Sequence, residues 1–560
     1  MTDANLIDAD VVIVGAGAGG AACAWALASS GVRVLVLESG PWYEPARDNR
    51  LHLPDWEQHA FPESEAYSHR YSFAPMQPLD PQWSDLRSWN HNFGPAAGTS
   101  RRALKYQHVR GVGGSTLHFI GEAHRLNPAS LRMASRFGVG ADWPITYEQL
   151  EPFYNAAEHL IGVAGASQDR HRPRSHDYPL APHPHSYASR RIGDACARLG
   201  MNWTPNPLAI LSSPWNGRPD CNYCGQCARG CPRGDKGSAD VTFITQALAG
   251  GRCTVLSSCH VTGIEPGTAD RVASLRWIDA AGAEHSLRPR VVVLACGAVQ
   301  TPRLMLASAN ARAPNGLANE SGQVGRNFME TLAWTSSALH PEPLGSHRGV
   351  PTDGICWDFN APDAIPGTPG GVRFGVGMAE MDLAGPINYA RRVARGWGRS
   401  HRAAMRDSFG HVLGIGAVGE FLPNDGTFID LDPTGRDIHG QPLARIHSRI
   451  DEPELRRLSF MAGKCREILQ AAGAASPFEE FGTYDTFNAT HVFGTCRMGA
   501  DPRDSVVDAD CRSHRWRNLF IVDASVFPSS GGGESPSLSI EALAIRTGAK
   551  IRTLLATRKL

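Results

Sequence analysis

The chain has 560 residues, 42% of them apolar and 20% charged, a composition that suits a soluble globular protein and argues against global disorder. Lys+Arg and Asp+Glu number 55 each, so no net field recruits nucleic acid or an acidic membrane. No apolar run is long enough to span a bilayer, and the length predicts two large lobes rather than one core. Residues 1–5 carry no basic export signal, so a cytoplasmic location is expected, with export on a signal-bearing partner left open. The 13 cysteines then read mostly as reduced thiols.

Residues 11–14, Val-Val-Ile-Val, are an apolar run long enough for one buried strand. Gly15, Gly17 and Gly20 follow in the spacing G-x-G-x-x-G. Residues 21–29 read as an alanine-rich helix and residues 32–37 as a second strand, with Glu38 at its end. Gly15 allows the tight turn, Gly17 lets the backbone approach a pyrophosphate, and Gly20 lets helix and strand pack closely. The helix N-terminus offers free N–H groups to phosphate. Glu38 lies about 20 residues on, where an acid accepts hydrogen bonds from a ribose. The whole unit predicts dinucleotide binding.

Residues 51–95 are rich in Pro, Trp, His and Ser and predict an extended surface excursion. Gly113, Gly114, Ser115, Thr116 and His118 then share one short stretch. It suits either a backbone lying flat on a planar ligand or a tight loop. A helix is predicted over residues 147–161, capped by Thr146 with Gln149 as capping-box partner. Its Leu150, Phe153, Tyr154, Ala157 and Leu160 are core by spacing. Residues 165–187 read as a loop.

Cys221, Cys224, Cys227 and Cys231 form C-x2-C-x2-C-x3-C-P, the spacing of a bacterial ferredoxin run. In two-cluster ferredoxins the fourth thiol ligates the other cluster, and no second run exists in this sequence. Zinc also takes four thiolates, though usually as two separated pairs. An iron–sulfur cluster, zinc and metal-free thiols all stand as readings.

Residues 241–248 read as helix, 252–264 and 272–278 as strands, and 291–295 as a buried strand. A helix over residues 301–307 follows, with Pro302 in its first turn. A second strand–glycine–helix unit of this kind predicts an α/β, doubly wound sheet. Residues 332–480 change character and read mainly as a substrate lobe, where Trp357, Phe359, Phe374 and Tyr389 are either pocket or core. The final segment carries His491 in a small-residue loop, a strand ending at Asp523, and a glycine-rich turn through Glu534, Ser535 and Ser537 into the last helix.

Taken together these residues resemble the glucose–methanol–choline family of flavin oxidoreductases over nearly the whole chain, in family order. The resemblance rests on Gly15, Gly17, Gly20 and Glu38, on 113–116, Asp-Trp-Pro-Ile at 142–145, 297–302, 324–327, 491–499 and 522–525. It implies FAD, a doubly wound FAD-binding (Rossmann-like) domain built from residues 1–50, 100–160, 235–330 and 485–560, and a second α+β lobe from 51–99, 161–234 and 331–484. It places the pyrophosphate at Gly15 to Gly20, the adenosine ribose at Glu38, Gly113 to Thr116 against the flavin, and Asp523, Ala524 and Ser537 near the cofactor. His491 matches the family histidine over the flavin N5 region. An imidazole, with an ordinary pKa of about 6.5, suits removal of a hydroxyl proton as hydride leaves the same carbon. Where the family usually opens Asn-Pro or His-Pro, this chain has Ser535-Pro536. Ser535 is therefore expected to donate a hydrogen bond to a substrate oxygen, with Glu534 sharing the role or facing solvent. His118 matches the place where covalent members bond the flavin 8α carbon, and its alternative is packing at the flavin edge. The cysteine run lies where some family dehydrogenases carry an iron–sulfur cluster that relays electrons to a cytochrome or quinone. The expectation is an FAD-dependent dehydrogenase acting on an alcohol or sugar hydroxyl, with an electron-acceptor protein or quinone as partner. An oxygen-reducing oxidase, a flavin-containing lyase and a non-catalytic electron-transfer flavoprotein are the rivals.

Overall fold

The computed structural model describes residues 9–58, 70–90, 94–166, 172–376, 383–394 and 396–560. Residues 1–5 and parts of 51–95 and 165–187 lie outside that set. One sheet is wholly parallel. Its order is Leu519–Ile521, Val291–Leu294, Val11–Val14, Val34–Leu37, Cys253–Leu256. Val11 pairs with both Val34 and Val291, so Val11–Val14 is central. Strands in such a sheet are covered on both faces, which is why they read as unbroken aliphatic runs. Helix Ala18–Ala28 packs on the last helix, Ser537–Ala556, which in turn packs on Tyr147–Ile161. In that third helix Thr146 and Gln149 form the full capping box.

The second large sheet has eight strands. Its order is Gly94–Pro95, Trp89–Asn90, Glu479–Gly482, Leu332–Leu339, Val412–Gly419, Val372–Val376, Gly354–Cys356, Thr204–Pro205. Leu332–Leu339 pairs antiparallel with Val412–Gly419 along its whole length, and helix Glu452–Ala471 covers both strands. Trp357, Phe374 and Tyr389 are buried in this region. None of them, nor Phe359, is in the wall of the cavity described below.

Three local expectations are corrected. The predicted strand 252–264 is two: Cys253–Leu256 in the parallel sheet and His260–Pro266 in a separate antiparallel sheet. The chain breaks between them at Ser258, whose φ is +56° and whose N–H bonds Gly40 O at 2.7 Å. Residues 240–249 form a π-helical turn, Asp240–Ile244, before the α-helix Thr245–Ala249. Helix Gly297–Ala307 begins four residues earlier than expected, so Pro302 lies inside it. A proline there cannot donate to the carbonyl four residues back. That carbonyl, of Ala298, instead accepts the Thr495 hydroxyl at 2.6 Å.

Candidate active site

A cavity of about 1020 Å³ contains the predicted residues of both halves of the site in its wall: Gly15, Gly17 and Glu38, then Gly114, Ser115, Thr116 and His118, then His491, Asp523, Ala524, Ser535 and Ser537. Gly20 and Gly113 are not in the wall. They act on its shape from behind. A Cβ on Gly20 would sit 1.9 Å from Gly15 O, so only glycine lets the helix approach the turn. Gly113 has φ +109° and turns the second loop toward the first.

The two glycine loops touch. A Cβ on Gly114 would lie 2.7 Å from Gly17 Cα. The loop's hydroxyls are committed inward: Thr116 Oγ1 donates to Gly113 O at 2.6 Å and accepts Ala239 N–H at 2.8 Å, while Ser115 Oγ accepts Val109 N–H at 3.3 Å. Backbone is what faces the cavity. Gly17 begins helix Ala18–Ala28 without a side-chain cap, which leaves N–H groups for an anion. Glu38 is buried and clips the loops. Its Oε1 accepts Gly40 N–H at 2.8 Å and Gly111 N–H at 3.1 Å, and its Oε2 accepts Ala16 N–H at 2.9 Å. Burial pushes its carboxyl above the usual range against these bonds. Oε2 keeps a free lone pair, which fits a ribose hydroxyl.

Asp523 caps helix Gly297–Ala307. Its Oδ2 accepts Gly297 N–H at 2.9 Å and the Thr301 hydroxyl at 2.6 Å, and its Oδ1 accepts Ser525 N–H at 2.9 Å. Burial raises its pKa and the hydrogen bonds oppose that. His118 is held down to about 4, by burial first, then by Lys236, Lys105 and His491. It is therefore neutral at pH 7.

His491 is fixed through its backbone. Thr331 Oγ1 accepts its N–H at 2.9 Å and donates to its carbonyl at 3.0 Å. Among the described residues no group hydrogen-bonds its ring. Burial lowers its pKa to about 4, partly offset by Glu122 and reinforced by Arg373. The imidazole is thus neutral near pH 7, half-buried, and open to whatever occupies the cavity.

Ser535 differs from expectation. Its hydroxyl donates to Glu122 Oε2 at 2.6 Å, not toward the cavity. Glu122 and Arg373 line the same wall and were not foreseen. Arg373 Nη2 bonds Glu122 Oε2 at 2.5 Å and its Nε bonds Gly533 O at 3.0 Å. Burial would raise Glu122, but Arg373, His124 and the Ser535 hydroxyl together bring it down to about 2. Arg373 had a signal: a cation in the wholly buried strand Val372–Val376 needs a buried partner. Glu122 had none in its neighbours. Glu534 neither shares the role nor faces solvent. It is buried outside the cavity wall, paired with Arg172 at 2.8 Å and accepting Asn127 N–H and Asn360 Nδ2–H, both at 3.0 Å.

Cys221 and Cys227 are buried, Cys224 is exposed and Cys231 lies between. Lys236 Nζ ties this loop to the His118 loop by donating to the carbonyls of Cys227, Leu117 and Phe119 at 2.8, 2.9 and 3.0 Å. Burial pushes the Cys221 thiol up to about 12 and Cys227 well above the ordinary value. The donor chemistry is that of a cluster, but among the described residues no three His, Cys, Asp or Glu side chains converge to hold a metal. The four thiols are electrostatic neighbours all the same: Cys221, Cys224 and Cys231 each raise the Cys227 thiol.

Residues 84–333 match GMC oxidoreductase, and so do residues 423–544. The chain belongs to the GMC oxidoreductase family. Residues 13–72 of this GMC chain also match an NAD(P)-binding Rossmann-like domain, in keeping with the parallel sheet, and the cradle and the family together support FAD. The chain is 28% identical to the fructose dehydrogenase large subunit of Gluconobacter japonicus, covering 96% of this chain and 97% of that one. It is 29% identical to 2-methyl-1,2-propanediol dehydrogenase of Mycolicibacterium austroafricanum (96% and 94%) and 30% identical to 6'''-hydroxyparomomycin C oxidase of Streptomyces lividus (98% and 92%). Its fold is that of pyridoxine 4-oxidase from Mesorbium loti, with a TM-score of 0.63 at 18% identity over 98% of this chain and 99% of that one.

Proposed function

We propose that this GMC chain is an FAD-dependent dehydrogenase that oxidises a primary or secondary alcohol, a sugar hydroxyl included, to the carbonyl and passes electrons to an acceptor other than oxygen. The observation that carries the reading is His491: a neutral imidazole whose ring takes no hydrogen bond from the described residues, in the same wall as the dinucleotide cradle. FAD bound in that cradle supplies the hydride acceptor. The helix N-terminus at Gly17 would hold the pyrophosphate, Glu38 would accept a ribose hydroxyl, and the backbone of the loop at Gly114 would lie against the flavin. His491 removes the hydroxyl proton at the carbon that loses hydride. A non-oxygen acceptor is supported by full-length similarity to relatives named as dehydrogenases, one of them a large subunit, which supports a partner protein. Two relatives of similar identity are named oxidases, so oxygen is the acceptor to test against.

The test is anaerobic mixing of the FAD-loaded protein with a panel of alcohols, polyols and sugars, followed by reoxidation. Bleaching of the flavin, slow recovery in air and rapid recovery with a quinone are expected. Rapid stoichiometric recovery in air would make it an oxidase. No bleaching by any alcohol would favour lyase chemistry. Iron and acid-labile sulfide per flavin decide whether the cysteine loop holds a cluster or four reduced thiols.

A further inference from the structure

We infer that Glu122 and Arg373 are positioning residues that turn Ser535 into a hydrogen-bond acceptor, so that the site selects substrates carrying a second hydroxyl beside the reacting carbinol. The inference rests on the alcohol-oxidising reading above. It begins with proton placement around Ser535. The Ser535 N–H donates to His124 Nδ1 at 3.0 Å. That nitrogen is therefore bare, and the ring's proton is on Nε2, which donates to Asn206 Oδ1 at 2.8 Å. Asn206 Nδ2 in turn donates to Glu122 Oε1 at 3.2 Å and to Thr352 O at 2.9 Å. Arg373 donates to Glu122 Oε2. Among the described residues every group that hydrogen-bonds the Glu122 side chain is a donor, so Glu122 is a carboxylate and can only accept.

The Ser535 hydroxyl has a single hydrogen, and at 2.6 Å Glu122 Oε2 takes it. A charge-assisted bond of this length is among the stronger kinds. What Ser535 presents to the cavity is a pair of lone pairs and no hydrogen. It accepts from the substrate and donates nothing to it.

The reacting hydroxyl also has a single hydrogen, and two acceptors compete for it. Passing that proton through Ser535 would leave it on Glu122, the group whose charge Arg373 stabilises. Arg373 and the Ser535 hydroxyl hold Glu122 in its charged form, whereas the His491 ring is neutral and takes no hydrogen bond from the described residues, so His491 is the better base. The proton therefore goes to His491 and the hydride goes to the flavin, which balances the two-electron oxidation of the carbinol to the carbonyl. Ser535 is left needing a different O–H donor. A hydroxyl on the adjacent carbon, as in a vicinal diol, a polyol or a sugar, supplies it. An acceptor buried against a substrate that cannot donate stays unpaired, and sites built to bond a hydroxyl reject analogues lacking it strongly.

The experiment takes the best substrate from the alcohol panel, its mono-O-methyl ether at the neighbouring oxygen, and the deoxy compound lacking that oxygen. The ratio of kcat/KM for flavin reduction is measured in wild type, Ser535→Ala and Glu122→Ala, each with its FAD content checked. In wild type the diol is expected to exceed both analogues by about tenfold to a thousandfold. The ratio falls toward one in Ser535→Ala and drops in Glu122→Ala, where no carboxylate directs the serine proton inward. A merely structural role for Glu122 would lower all three substrates together. If Glu122→Ala fails to hold FAD, Ser535→Ala alone decides. A best substrate with no neighbouring hydroxyl, or a ratio unmoved by Ser535→Ala, overturns the inference. Neither result touches the alcohol-oxidising reading, which fails if no alcohol bleaches the flavin.

Discussion

Glu38→Gln isolates what one charge does at the cradle. The carboxylate serves three backbone donors: Gly40 and Gly111 on Oε1, Ala16 on Oε2. Glutamine has one acceptor oxygen. Its better orientation keeps the Oε1 pair and turns the amide NH2 against the Ala16 N–H, donor against donor. One buried donor left unpaired costs about 1–3 kcal/mol, and that loss appears in the apo protein. The ribose hydroxyl expected at Oε2 then meets a hydrogen instead of a lone pair. Losing a hydrogen bond to a charged group costs about 1.5–3 kcal/mol, a weakening of FAD binding by about 10- to 100-fold. Denaturant titration of the apo protein reads the first term, and FAD titration of the same preparation reads the second. Lower apo stability with unchanged FAD affinity would make Glu38 a loop clip alone and refute its role at the ribose. No change in either would refute the geometry.

Thr495→Val removes the hydroxyl that satisfies Ala298 O beneath Pro302. It is expected to cost about 1–3 kcal/mol in chemical denaturation, whereas Thr495→Ser is expected to be near neutral. Glu534→Gln or Arg172→Leu breaks a pair in which both side chains are buried, and a loss of about 3–5 kcal/mol in chemical denaturation is expected. In pH terms, burial lowers His491 and His118 to about 4 and His124 to about 3, from an ordinary 6.5. A histidine depressed on folding contributes stability above its unfolded pKa, and that contribution is lost as pH falls through the folded value. Stability is therefore expected to decline from about pH 6.5 downward. kcat/KM should stay flat from about pH 5 to 8 and fall only near pH 4, where His491 takes up a proton in the free enzyme. A profile with its acid limb at pH 6.5 would contradict the half-buried imidazole with its lowered pKa.

What was legible in the sequence was local. The unit from Val11 to Glu38 declares itself because turn, helix start and acid are set by spacing within one βαβ segment, and the Thr146 capping box closes over three residues. The strand order of the eight-stranded sheet was not readable, because its edge strands are two or three residues long and its neighbours come from distant parts of the chain. Long-range polar pairing explains the other differences. The direction of the Ser535 proton depends on Glu122, 413 residues away in sequence. Glu534 is withdrawn from the site by Arg172, 362 residues away. Pro302 is tolerated within a helix because of a threonine almost two hundred positions on, at a sequence separation of 197 from Ala298. Each of these is a buried group whose partner is dictated by the fold rather than by its neighbours.

His491→Ala, mixed anaerobically with the best alcohol substrate, tests the central claim most directly. General-base removal predicts flavin reduction slowed by about 10²- to 10⁴-fold, with FAD content retained because the cradle at Gly15, Gly17 and Glu38 is untouched. Reduction at the wild-type rate in that variant would contradict the account.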